Sequence, residues 1–292
     1  MALPLGAAHL LDIANNGYKP RLGRREVMTR IAISKFGIRR AGIAIFIGAM
    51  LIAAAGGSTP ALAQTAPTTV VLVHGAFADG SSWDKVIPLL QAKGLNVVAV
   101  QNPLTSLADD VAATQRAIAQ QKGPVVLVGH SWAGTVITQA GNDDRVKALV
   151  YVAAFSPGDG QSTSDLNKDY PTPPGLAHPQ VDAAGFLTLS YDDIAQYFAP
   201  DVPKAESNLI AVIQGPVRGA NFDEKVTTAA WKSKPSWAVV TKNDQMIDPK
   251  LLADSAKAIN AHVTAIASSH VPMLSHPKDV AAVILEAVEA VK

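Results

Sequence analysis

The run VVLVGHSWAGTVI, residues 125–137, begins as a short apolar strand and ends as a helix-like stretch, with Ser131 at the joint. Strand, sharp turn and helix in that order are the context of a nucleophile elbow. The usual pattern is G-x-S-x-G. Here Gly129 stands two places before the serine, Ala133 stands two after, and Gly134 comes one place late. The turn brings strand and helix backbones together, so the flanking residues must be small. Alanine adds one methyl where glycine adds none, which weakens the motif without breaking it. These residues alone leave two readings open: Ser131 is an activated nucleophile, or it is the N-cap of an ordinary helix.

The rhythm around this stretch sets the fold class. Short apolar runs recur at 70–73, 96–100, 125–128, 148–153, 237–240 and 263–267. They are continuous rather than alternating, as strands buried on both faces of a parallel sheet are. Helix-like runs separate them. Ser106 is placed to N-cap LADDVAATQRAIAQQ, and Gly94 and Gly123 sit where helices should stop. Val280, Val283, Ile284, Ala287, Val288 and Val291 form one apolar face at helical spacing. The pattern predicts an α/β fold: a doubly wound, mostly parallel sheet of about six strands with helices on both faces. One interval, at about 156–235, breaks the rhythm. It carries PTPPG, many aspartates and several aromatics, and segments such as DDIAQYF read as short helices. We expect a lid insertion here, above the strand ends where such sheets bind ligands.

A serine nucleophile needs a base, an orienting acid and an oxyanion site. His270 follows the run 263–267, and Asp244 follows the run 237–240, so both fall at the carboxyl edge of the sheet that carries Ser131. The chain order Ser, Asp, His is that of the α/β-hydrolases. His270 is the expected base and Asp244 its orienting acid, with Asp248 as runner-up. His276, His130, His262, His178 and His9 are weaker rivals by their positions in helix starts, the elbow itself, a strand start, the insertion and the leader. The HGAF segment, His74 to Phe77, follows the first strand. Its Ala76 N–H and the N–H of Trp132 are the expected oxyanion donors, and Phe77 and the Trp132 ring are expected to contact substrate. This chemistry calls for no metal and no cofactor, only a small-molecule ester.

The first sixty residues read differently. Arg39 and Arg40 precede an apolar run, 41–57, which is followed by Ala61-Leu62-Ala63 as an A-x-A exit. That is the order of a secretory signal peptide, and the run is short of the roughly 20 residues of a membrane span. Residues 1–63 are therefore expected to be leader and signal peptide, cleaved after Ala63, and residues 64–292 a mature periplasmic or secreted domain with no stable membrane insertion. Met28 is an alternative start, and the arginine pairs hint at twin-arginine export. Residues 1–63 hold eight Lys/Arg and two Asp/Glu, leaving 17 basic and 22 acidic residues of the chain's 25 and 24. The mature part is thus acidic, with no basic stripe for nucleic acid. The absence of cysteine excludes disulfides, thiolate metal sites and a cysteine nucleophile.

HGAFADGSSW, GHSWAG, TKNDQMIDP and SSHVPMLSHP together resemble the bacterial α/β-hydrolase group related to plant methylesterases and hydroxynitrile lyases. The resemblance covers nearly all of residues 68–292 and is weakest in the insertion. It implies a sheet lacking the first two strands of the larger fold, and alanine at the position of Ala133 is common in the group. It also implies a choice of chemistry. The lyases carry threonine at the position of Gly75 and lysine at that of Val271, which argues against cyanohydrin cleavage here. Ser131 argues against the epoxide and haloalkane hydrolases of this fold, whose nucleophile is aspartate. The expected function is an exported serine carboxylesterase, with a lyase or amidase on the same residues, or a non-catalytic binding protein, as alternatives.

Overall fold

The six apolar runs become the six strands of one parallel sheet in the computed structural model, which describes residues 66–292. The expected leader and cleavage site lie outside the described residues. Chain order runs β1 (Thr69–Val73), α1 (Ile87–Gln91), β2 (Asn96–Val100), α2 (Leu107–Ala119), β3 (Val125–His130), α3 (Ala133–Ala140) and β4 (Val146–Val152). An insertion follows, with α4 (Thr163–Asn167), β5 (Gln180–Val181), β6 (Phe186–Thr188), α5 (Tyr191–Asp193), α6 (Lys204–Ile213) and β7 (Val217–Arg218). The chain closes with β8 (Ser236–Thr241), α7 (Pro249–Ala258), β9 (His262–Ile266), α8 (Pro272–Ser275) and α9 (Pro277–Ala290).

The strand order is β2-β1-β3-β4-β8-β9, with every pair parallel. The four central strands are buried except at Lys147, which explains why their sequences run apolar without alternation. The edge strands β2 and β9 keep several residues open to solvent. From β1 the chain moves outward to β2, then crosses back to β3 on the other side. The crevice between the carboxyl ends of β1 and β3 is therefore the topological switch point, where such sheets place their ligands.

Helices cover both faces. On one, α9 packs on β3, β4 and β8 and meets α1; on the other, α2 packs on α3. Val280, Val283, Ile284, Ala287 and Val288 of α9 are buried, the valines and the isoleucine each contributing about 1.5–3 kcal/mol of apolar burial, while Val291 lies at the C-cap, half-buried. Ser106 caps α2, its hydroxyl accepting the Asp109 N–H at 2.9 Å. Gly94 takes φ +77° just beyond α1. Strand β4 starts at Val146, two residues before the expected run, and Ala153 leaves it with φ +45°.

The insertion contains more order than its sequence suggested. Strands β5, β6 and β7 form a small antiparallel sheet, too short at two or three residues each to leave an alternation. DDIAQYF is one α-turn running into a π-helical turn, Ile194–Phe198. The insertion is tied down at several points. The Arg218 N–H donates to the Leu104 carbonyl at 3.0 Å, and Tyr170 Oη donates to Asp254 Oδ2 at 2.8 Å. Among the described residues no helix is long and apolar enough to cross a membrane.

Candidate active site

Strand β3 ends at His130, and the chain reverses through Ser131 at φ +54°, in the left-handed region that non-glycine residues seldom enter. Strain of this kind clusters at functional positions. The turn closes through the Gly134 N–H on the Ser131 carbonyl at 2.9 Å. Its crowding explains the altered motif. A Cβ on Gly129 would stand 2.6 Å from the Ala133 carbonyl oxygen, and one on Gly134 would stand 2.0 Å from that of Phe155. Ala133 is buried and lies outside the left-handed region, so its position does not demand glycine; the second place that does is 134, where α3 crosses the chain leaving β4.

The carboxyl ends of β8 and β9 bring the other two residues alongside. His270 Nε2 lies 2.8 Å from Ser131 Oγ, and His270 Nδ1 lies 2.8 Å from Asp244 Oδ2 and 3.1 Å from Oδ1. All three residues are buried. The Asp244 carboxylate also accepts from Thr241 Oγ1 at 2.7 Å and from the Met246 and Ile247 N–H groups at 2.8 and 3.0 Å. With four donors on it, Asp244 is an acceptor only, so His270 carries its proton on Nδ1 and offers a bare Nε2 to the serine hydroxyl. Asp248 is elsewhere occupied, capping α7 through the Lys250 N–H. His130 points away from Ser131 and donates from Nε2 to the His270 carbonyl at 2.8 Å. Burial, and then the neighbouring His270 at 4.7 Å between rings, hold His130 well below the usual imidazole range. It stays neutral, so no second positive charge competes with His270.

The HGAF segment packs directly against the elbow. A Cβ on Gly75 would meet Ser131 Cβ at 2.7 Å and the His130 carbonyl at 2.8 Å, so only glycine fits. His74 anchors the segment: its Nδ1–H donates to the Gly75 carbonyl at 2.9 Å and its Nε2 accepts the Asn102 N–H at 2.9 Å. Phe77 takes φ +57°. Among the described residues neither the Ala76 nor the Trp132 N–H has an acceptor, which leaves both donors available to a ligand atom.

Comparison with known proteins identifies the family. The sequence pattern of the alpha/beta hydrolase family matches residues 70–283. This chain belongs to the α/β-hydrolase family. It is 26% identical over 245 residues to a probable hydrolase, R7, of a Phoma species, covering 74% of this chain and 96% of that one. It is 25% identical over 243 residues to methylesterase 2 of Arabidopsis thaliana, covering 71% and 91%. Among solved structures, a pyrethroid hydrolase from Sphingobium faniae shares the fold with a TM-score of 0.66 at 22% identity, covering 76% of this chain and 98% of that one.

The pocket of this α/β-hydrolase, about 420 Å³, opens over Ser131 and His270. Phe77, Phe155, Leu176, Phe222, Met246 and Ile247 form apolar walls, and α4 with the segment after it adds Thr163, Ser164, Asn167, Lys168 and Tyr170. The insertion thus supplies a large part of the lining. One expectation is corrected. The Trp132 ring is not a wall of the pocket: it is fully buried, and its Nε1–H reaches Asp110 Oδ2 at 2.8 Å. Phe222 stands edge-on to it at 5.5 Å and takes the wall position. A buried indole N–H favours an acceptor, and here Asp110 supplies it while the ring stays out of the pocket lining.

Two contributors lay outside the sequence reading. Phe198, from the π-helical turn, stands edge-on to His270 at 5.3 Å. Asp201 grips the residue before His270, accepting the Ser269 N–H at 2.8 Å as well as the Ser269 hydroxyl. Burial pushes the Asp201 carboxyl up, but hydrogen bonds from Ser269, Ser275 and Ser268 outweigh it and leave it below the usual carboxylate range. An aspartate closely followed by Pro203 in a polar insertion carries no pattern that marks it. Among the described residues no cluster of three His, Cys, Asp or Glu is placed to hold a metal.

Proposed function

We propose that this α/β-hydrolase is an exported serine carboxylesterase acting on an ester of an apolar acid with a small alcohol, such as a methyl ester. The observation that carries the reading is the unbroken hydrogen-bonded line from Asp244 through His270 to Ser131 at the floor of a pocket walled in part by Phe77, Phe155, Phe222 and Met246. His270 takes the serine proton as Ser131 attacks the ester carbonyl. The Ala76 and Trp132 N–H groups hold the oxyanion of the tetrahedral intermediate. His270 returns the proton to the departing alcohol, leaving an acyl-enzyme. Water activated by His270 then releases the acid, and Asp244 stabilises the imidazolium in both steps. The aromatic walls favour an apolar acyl group, and the likeness to methylesterase 2 of Arabidopsis thaliana is in keeping with ester cleavage.

Ser131→Ala is expected to lower p-nitrophenyl acetate turnover by on the order of 10⁶-fold, to background, and to abolish fluorophosphonate labelling while the melting temperature stays near wild type. Unchanged turnover would sink the assignment. Screening esters by acyl length and alcohol size then identifies the substrate. Export is supported by the leader sequence; N-terminal sequencing of the protein recovered from periplasm or medium should begin at Gln64, and a retained Met1 or Met28 would refute cleavage.

A further inference from the structure

Asp110 sits in the first turn of α2 with its side chain wholly buried, and among the described residues it forms no ion pair. Both of its oxygens face N–H donors. Oδ2 accepts the Trp132 indole at 2.8 Å, and Oδ1 accepts the Leu104 N–H at 2.7 Å. Each donor leads to the active site. Trp132 directly follows Ser131, and its ring carries Phe222, a pocket wall, edge-on. Leu104 is held at φ +59°, and its carbonyl accepts from the Arg218 N–H and from Asn221 Nδ2, both at 3.0 Å. One carboxylate therefore joins the elbow, the loop after β2 and the part of the insertion that bears Phe222.

We propose that Asp110 is a positioning residue of the hydrolytic site: by holding the Trp132 indole it fixes the Trp132 backbone N–H beside Ser131 and, through Phe222, the adjoining pocket wall. This rests on the reading of Ser131 as the acylated nucleophile. The role requires the ionised form. Two donors face the group, so an added proton would point at a donor or at apolar surroundings. The Asp110 carboxyl is raised to about 6: burial pushes it up most, the Trp132 and Leu104 hydrogen bonds pull it back, and the charges of Asp109 and Glu224 add to the rise. Asp109 is the neighbour on α2, and Glu224 belongs to the insertion, where it accepts the Leu107 N–H at 2.8 Å. The clamp is thus expected to loosen as pH falls through about 6.

Asp110→Asn keeps the shape but sets an amide NH2 against one of the two donors. It is expected to lower kcat for p-nitrophenyl acetate roughly 10- to 100-fold, the scale of a small misplacement of a transition-state donor, with KM little changed. Fluorophosphonate labelling of Ser131 should slow in proportion. Trp132→Phe should lose about as much, and the double variant no more than either single one, because both act through one contact. In the wild-type protein one of the four tryptophan indole N–H resonances should shift with a midpoint near 6, and that resonance should be missing in Trp132→Phe. Wild-type kcat and labelling rate in Asp110→Asn would overturn the proposal, as would losses that multiply in the double variant. If Asp110→Asn does not fold, the indole titration decides alone: no indole resonance moving between pH 5 and 7 overturns it. Failure of wild-type protein to react with the fluorophosphonate would instead remove the esterase reading beneath it.

Discussion

Replacing Gly134 by alanine tests which residue bears the crowding of the elbow. The added Cβ would lie 2.0 Å from the Phe155 carbonyl oxygen and 2.9 Å from Ala154 Cβ. An ordinary carbon–oxygen contact is about 3.3–3.6 Å, so a gap of roughly 1.3 Å has to open between α3 and the chain beyond β4. The obstacle is backbone, and the Phe155 N–H is itself bonded to the Ser131 carbonyl at 3.3 Å, so the strain runs into the nucleophile. Overpacking of this kind costs about 1–3 kcal/mol, here toward the upper end. The helix propensity of alanine returns about 1 kcal/mol. The net loss of about 2 kcal/mol corresponds to a fall in Tm of roughly 4–8 °C for a domain of this size. Because Phe155 also lines the pocket, kcat for p-nitrophenyl acetate should fall by about tenfold or more. Ala133→Gly, which restores the usual motif, should instead lose about 1–2 kcal/mol of propensity and burial with turnover retained. Calorimetric melts and steady-state kinetics on both variants decide the matter. A Gly134→Ala protein that melts at or above the wild-type temperature and turns over at full rate would refute the reasoning.

Asp201→Ala should free Ser269 and let the loop carrying His270 drift, lowering kcat about tenfold with KM nearly unchanged; equal kinetics would show that Phe198 and the neighbouring serines hold His270 without it. Asp244→Asn should lower kcat by roughly 10⁴-fold through the wrong imidazole tautomer, leaving the fold intact by circular dichroism. Stability should depend on pH through opposing groups. His74 and His130 are lowered by burial from the ordinary 6.5, so their contribution is present above 6.5 and is lost as pH falls toward their folded values. Asp110 is raised from 3.8 to about 6, so its contribution is present below 3.8 and is lost as pH rises through 6. Asp110→Asn removes the second effect, and its Tm should therefore drop more steeply between pH 6.5 and 4.5 than that of the wild type; parallel curves would count against a raised Asp110.

The parallel sheet was legible because its strands are buried on both faces, and burial of that kind leaves uninterrupted apolar runs such as Val125–Val128. The same property placed Ser131, Asp244 and His270 at one edge, since in a parallel sheet every residue that follows a strand emerges on the same side. What chain order could not convey was direction at the level of side chains. Trp132 looked like a wall because it neighbours Ser131, yet its indole turns toward a carboxylate 22 residues earlier in the chain. Asp110 itself reads as one of two adjacent acids in the first turn of α2, and it is the packing around it, with Trp132 and Leu104 on its oxygens, that marks it out. Strands β5 to β7 are defined by partners rather than by pattern, at lengths where periodicity has no room to appear.

The grip of Asp201 on Ser269 has a consequence for how such proteins can diverge. Asp201 lies in the segment between β4 and β8, which shapes the pocket, whereas Ser269 lies in the scaffold loop that delivers His270. A segment exchanged between relatives to alter what the pocket accepts would arrive with its own residue at position 201. If that residue cannot hold the loop, the chimera gains a new pocket but loses the alignment of its histidine. Positions 201 and 269 are therefore a pair to be inherited together, and the boundary for productive shuffling lies beyond both.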